Sequence, residues 1–75
     1  MFWVYENWRI RPYKAVIHRA HCPHCNEGQG VHPGAGDENG RWQGAFDPYQ
    51  NALAAAHRTN ASDVRPCRVC NSHLP

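Results

Sequence analysis

The sequence predicts a small α+β domain: an antiparallel sheet of about three strands, one α-helix and a zinc ion that staples them together. Three observations predict it. Every cysteine lies in one of two CxxC pairs, Cys22-Pro23-His24-Cys25 and Cys67-Arg68-Val69-Cys70. Aromatic and β-branched runs lead into the first pair. A single alanine-rich run with helix-start chemistry lies between the two. At 75 residues the chain reads as one domain, residues 1–75. A chain this short buries little core and commonly needs a staple.

Phe2 to Trp8 reads as the first strand, because aromatic and β-branched residues suit a pleated surface. Phe2, Val4 and Trp8 fall on one face, Trp3 and Tyr5 on the other. Apolar residues on both faces suggest a central strand, or a face open to a partner. Arg9 to Pro12 is a turn, since Pro12 restricts both itself and Arg11. Tyr13 to Ala20 is the second strand, with Tyr13, Ala15 and Ile17 on one face and Lys14, Val16 and His18 on the other. The two strands should form an antiparallel hairpin that delivers the chain into the first CxxC.

Glu27 to Gly40 reads as a mobile glycine-rich loop with Asn39-Gly40 as a turn pair. Gly28-x-Gly30 lacks the strand-loop-helix context of a nucleotide site. Arg41 to Phe46 is a third strand, broken by Gly44. Asp47-Pro48-Tyr49-Gln50 is a helix start, with Asp47 as cap, Pro48 first in the helix and Gln50 reaching back. The helix runs to about Arg58, burying Tyr49, Ala52, Leu53 and Ala56, and Asn60 is its stop. Val64 to Pro66 leads into the second CxxC, and Asn71 to Pro75 is a tail.

Structural zinc takes four ligands in a tetrahedron, and thiolates serve well. One CxxC is ambiguous between metal, redox and chance; two with no cysteine left over point to one shared ion held by Cys22, Cys25, Cys67 and Cys70. The 41 residues between the pairs do not argue against sharing, because loop-closure cost grows slowly with length. Disulfides are the competing reading. No apolar run resembles a signal peptide, since Arg9, Arg11 and Lys14 follow the first strand, so a cytoplasmic chain with reduced cysteines is expected. No stretch approaches the roughly 20 apolar residues of a membrane span. His21 is a possible substitute ligand, His24 should point outward from its turn, and His32, His57 and His73 read as surface residues.

The formal charge of +2 falls to about zero once four thiolates and a zinc ion are counted. Its distribution is uneven: residues 1–25 carry +3, 26–50 carry −3 and 51–75 carry +2. The basic thirds hold the two CxxC pairs, so a shared ion would gather them.

The run Trp3-Val4-Tyr5-Glu6-Asn7-Trp8, then His18, CxxC with Asn26, Gly28-x-Gly30, Trp42-x-Gly44-x-Phe46, an alanine-rich helix and a final CxxC resembles a set of small uncharacterised bacterial zinc-ribbon-like proteins. The resemblance spans nearly the whole chain. It implies an α+β zinc fold with the cysteines as ligands, and no activity.

A non-catalytic or regulatory module, expected as a monomer, is therefore the leading functional expectation. Nucleic acid is the first partner to consider, with Arg9, Arg11, Lys14, Arg19, Arg65 and Arg68 on phosphates and Trp3, Tyr5 or Trp8 stacking on bases. A protein partner docked on an aromatic sheet face is the second. A minor third is a deaminase-like hydrolase, because Cys25-Asn26-Glu27 and Pro66-Cys67-Arg68-Val69-Cys70 echo the C-x-E and P-C-x-x-C elements of zinc deaminases. Cys22 would then close the shell and displace the reacting water. No catalytic set is expected, and Ser62 and Ser72 lack a supporting motif.

Overall fold

The computed structural model describes residues 1–30 and 39–74. Its elements run β1 (Phe2–Asn7), β2 (Lys14–Arg19), β3 (Gly40–Phe46), α1 (Tyr49–His57) and β4 (Asp63–Pro66). They form one sheet of order β3-β1-β2-β4 with α1 packed on one face. The α+β class is as expected, but the sheet has four strands and is mixed rather than antiparallel.

β1 and β2 make the expected hairpin, paired from Phe2 opposite Arg19 to Asn7 opposite Lys14. β3 pairs antiparallel on the far side of β1, which is thus a central strand. Phe46 faces Phe2 while Gly44 faces Trp3, so Ala45 is an extra residue that bulges the edge. β4 pairs parallel to β2, from Lys14 opposite Asp63 to Ile17 opposite Pro66. The parallel direction has a plain cause. Each of these strands runs into a CxxC turn, and two turns meeting at one place require strands that arrive pointing the same way.

The predicted alternation holds. Val4, Ala15 and Ile17 form the core on one face with Ala52 and Ala56 of the helix, flanked by Phe2, Tyr49, Leu53 and Val64. Alanines let α1 lie close to the sheet. Val4 and Ile17 are fully buried, worth about 1.5–3 kcal/mol each. The opposite face carries Trp3, Val16 and Trp42 against the cysteines. Trp8 does not join the Phe2 and Val4 face, because β1 ends at Asn7 and Trp8 is exposed beyond it.

Glu6 is buried on the helix side, where its carboxylate accepts hydrogen bonds from the Tyr13 hydroxyl, Arg41 Nε (3.2 Å) and Gln43 Nε2 (2.9 Å). Three donors offset the cost of removing that charge from water. The phenol of Tyr13 is held above its usual range, first by this hydrogen bond.

The helix start differs from expectation. Pro48 is itself the N-cap, in extended conformation, and no side chain caps the helix. Asp47 therefore stands one residue too early, and only its carbonyl is used, accepting from Asn51 Nδ2 at 2.9 Å. The expected tail is docked instead: Ser72 is buried and donates to the Ile17 carbonyl at 2.6 Å. Of the loop expected over Glu27 to Gly40, residues 31–38 lie outside the described residues, and Gly40 opens β3.

Candidate metal centre

Both CxxC turns are built alike, and the repeat is longer than CxxC. Each continues into asparagine, Cys22-x-x-Cys25-Asn26 and Cys67-x-x-Cys70-Asn71. Each asparagine is left-handed, with φ of 49° at Asn26 and 48° at Asn71. Each donates its N–H to the carbonyl of the first cysteine, at 2.8 and 2.9 Å. Among residues with a Cβ, asparagine is one of the few that visits this conformation readily. The local sequence thus closes each turn without help from the rest of the chain.

Tertiary contacts aim the turns. The Cys67 N–H donates to the Ile17 carbonyl at 2.8 Å, extending the β2–β4 pairing into the second turn. Arg19 reaches across from β2, its Nε donating to the Cys70 carbonyl (3.2 Å) and its Nη2 to the carbonyls of Asn71 and Leu74. The Arg19 N–H donates to Cys70 Sγ at 3.4 Å. On the first turn, Gly28 at φ 86° lies under the Trp3 ring and Gly30 at φ 75° under the Trp42 indole. A Cβ at Gly28 would sit 2.7 Å from Trp3. Gly28-x-Gly30 is therefore a seat for two tryptophans, which explains the motif without a nucleotide.

His18, Cys22, Cys67 and Cys70 come together, with one donor atom from each all within 4.8 Å of one another. The Cys22 and Cys67 sulfurs are 4.0 Å apart. A disulfide would need about 2.05 Å, whereas tetrahedral zinc with bonds of about 2.3 Å spaces sulfurs by about 3.8 Å. These four residues could hold a metal ion.

His18 was not anticipated as a donor. It sits on β2, on the face of Val16, only 7 % exposed, with its ring centroid 5.2 Å from that of Trp42. Its Nδ1 is buried and has no hydrogen-bond partner. An unpaired buried nitrogen is costly, and a metal would remove the cost. Burial, with a smaller effect of nearby His24, pulls its pKa down to about 4, so the ring is neutral at pH 7, the form a metal binds.

Cys25, expected as the fourth ligand, is fully buried in the same cluster but is not one of the mutually close four. Burial pushes its thiol up, while the Gly28 and Glu27 amides aimed at it pull the other way. Burial also raises the Cys67 thiol, but the Cys70 and Val69 amides and the neighbouring Cys70 and Cys22 thiols outweigh it, leaving Cys67 below the usual range. Cys70 is pushed up to about 11, by burial first and then by the Cys22 and Cys67 thiols.

The remaining candidates are scattered. Arg9, Arg11 and Lys14 stand at the start of β2, and Arg19 and Arg68 at its far end, so the basic residues are not gathered into one patch. Arg9 Nη1 donates to Asn39 Oδ1 at 2.9 Å. Arg65 Nε donates to Asp63 Oδ1 at 3.1 Å, and this bond holds the Asp63 carboxyl below its usual range. His21, His24, His57 and His73 are exposed, and His32 lies outside the described residues. Glu27 is exposed in a left-handed turn at φ 55°, not on a helix facing the metal donors. Trp3 and Trp42 are half-buried against the cysteines, and Tyr5 packs on Trp42 with ring centroids 4.8 Å apart. No described helix is long and apolar enough to cross a membrane.

The signal that could have found His18 was its place in β2. Alternation puts it beside Val16, and it stands four residues before Cys22. No family model, curated protein or solved structure matches this chain, so what the site can do is read from its own chemistry.

Proposed function

We propose that this chain is a structural zinc module with a binding rather than catalytic role. The observation that carries it is the meeting of buried His18, Cys22 and Cys67 with half-buried Cys70 at the ends of two parallel strands. Three soft sulfurs with a neutral imidazole favour zinc over harder cations. The donors also close the chain: they join the β1–β2 hairpin to the segment after α1. A metal here would contribute folding free energy directly. Four donors around one ion leave no position for a reacting water, which argues for structure over hydrolysis.

Nucleic acid is the partner we favour. Arg9, Arg11 and Lys14 present cations at one end of the sheet, beside exposed Trp8. Arg68 adds one at the other end. Arg19 and Arg65 are spent on part-buried internal hydrogen bonds and drop out of the phosphate-contacting set, whereas the guanidinium bond of Arg9 to Asn39 is exposed and open to exchange for a phosphate. Titration of the metal-loaded protein with single- and double-stranded DNA and RNA tests this. Binding that weakens steeply between low and high salt supports it, and no binding at low salt removes it. A protein partner is the second reading, favoured by exposed Met1, Val69 and Leu74, all at the cysteine end of the sheet. Such binding would be far less sensitive to salt.

A further inference from the structure

Five metal donors crowd a centre that needs four: His18, Cys22, Cys25 and Cys67, all buried, and half-buried Cys70. Cys22, Cys67 and Cys70 belong to the close group. The fourth position has two claimants, each prepared by a different part of the fold. His18 is within the 4.8 Å group, and its buried Nδ1 has no hydrogen-bond partner. Cys25 is fully buried in the same cluster and packs with Cys22 and Cys67. It also holds the place in its turn that Cys70 holds in the other: a left-handed asparagine follows each, and donates its N–H to the carbonyl of the first cysteine.

We propose that His18 and Cys25 share one vertex of the metal shell, so that either alone completes it with Cys22, Cys67 and Cys70. This rests on the zinc-module reading above. It predicts a centre that keeps its ion when Cys25 is lost, with one thiolate exchanged for an imidazole. It does not predict that any four of the five donors suffice. His18 and Cys25 compete for the same place, so they cannot together replace Cys67.

The test is a titration of reduced apo protein with Co²⁺, followed by displacement with Zn²⁺. Sulfur-to-cobalt charge transfer reports the number of thiolates bound. Wild type, Cys25→Ser, His18→Ala, the double variant and Cys67→Ser are compared. Both single variants should bind one Co²⁺ within about tenfold of wild type, while the double variant and Cys67→Ser should lose more than about a hundredfold. Cys25→Ser should show the intensity of three thiolates and His18→Ala that of four. His18→Leu, which refills the space beside Trp42 without a nitrogen, should bind as tightly as wild type within the same limit. The proposal is overturned if Cys25→Ser loses the metal as Cys67→Ser does, if both His18 variants lose it, or if the double variant binds as tightly as the singles. Wild type that takes up no Co²⁺ would remove the metal module itself. Wild type that binds while Cys25→Ser fails would remove only the shared vertex.

Discussion

The two CxxC turns are nearly the same in sequence and in local backbone, yet the fold supports them by opposite means. Both place a left-handed asparagine after the second cysteine and close on the carbonyl of the first. The first turn is then seated by packing, with Trp3 over Gly28 and Trp42 over Gly30. The second is held by polar bonds to β2, through Arg19 to the Cys70 carbonyl and Ser72 to the Ile17 carbonyl. The donor sets differ too. Cys67 and Cys70 both belong to the close group, whereas on the first side only Cys22 does, and His18 stands in from the strand before it. The spacing of a CxxC therefore encodes a turn. How many of its sulfurs join the close group is decided by the neighbours.

The largest expected effect comes from breaking what the two turns share. Cys67→Ser, or a strong chelator added to wild type, should abolish cooperative folding as followed by circular dichroism. Structural zinc contributes roughly 10–16 kcal/mol in small peptides, more than a domain of this size has to spare. Survival of a cooperative thermal transition would separate the fold from the metal.

The next test separates the two kinds of support. Gly28→Ala adds a Cβ at a positive φ and 2.7 Å from the Trp3 ring. It should cost about 2–3 kcal/mol in urea denaturation of the metal-loaded protein. Ser72→Ala removes one buried hydrogen bond from a carbonyl that keeps a second donor, the Cys67 N–H. It should cost only about 0.5–1.5 kcal/mol in the same assay. Equal effects would mean that packing and polar support are not the real difference between the turns.

The smallest effect tests their likeness. Asn26→Ala and Asn71→Ala each put a less tolerant residue at a left-handed position and should each cost about 0.5 kcal/mol, to within error of one another. Urea midpoints that differ several-fold in their shift would show the local equivalence to be superficial.

Much of this was legible from residues alone. Alternation along Phe2–Tyr5 and Lys14–His18 assigned both faces of the hairpin, and the alanine run supplied a helix that lies close to the sheet. β4 was not legible, because four residues ending in proline carry a weak strand signal. Its pairing comes from the need to bring two turns to one place. Asp47 looked like a cap by type, but the backbone begins the helix after Pro48. His18 escaped because the alternation says which residues share a face, not which face the cysteines will cover. Asn71, by contrast, was in plain view as the repeat of Asn26.

The central claim is that a metal ion held by these residues is part of the fold. Metal content of the protein, purified under reducing conditions without chelator or added metal, tests it most directly. One zinc per chain, whose removal abolishes the folded dichroism spectrum, is the predicted result. A metal-free chain with the same spectrum and a thermal transition indifferent to chelator would contradict it.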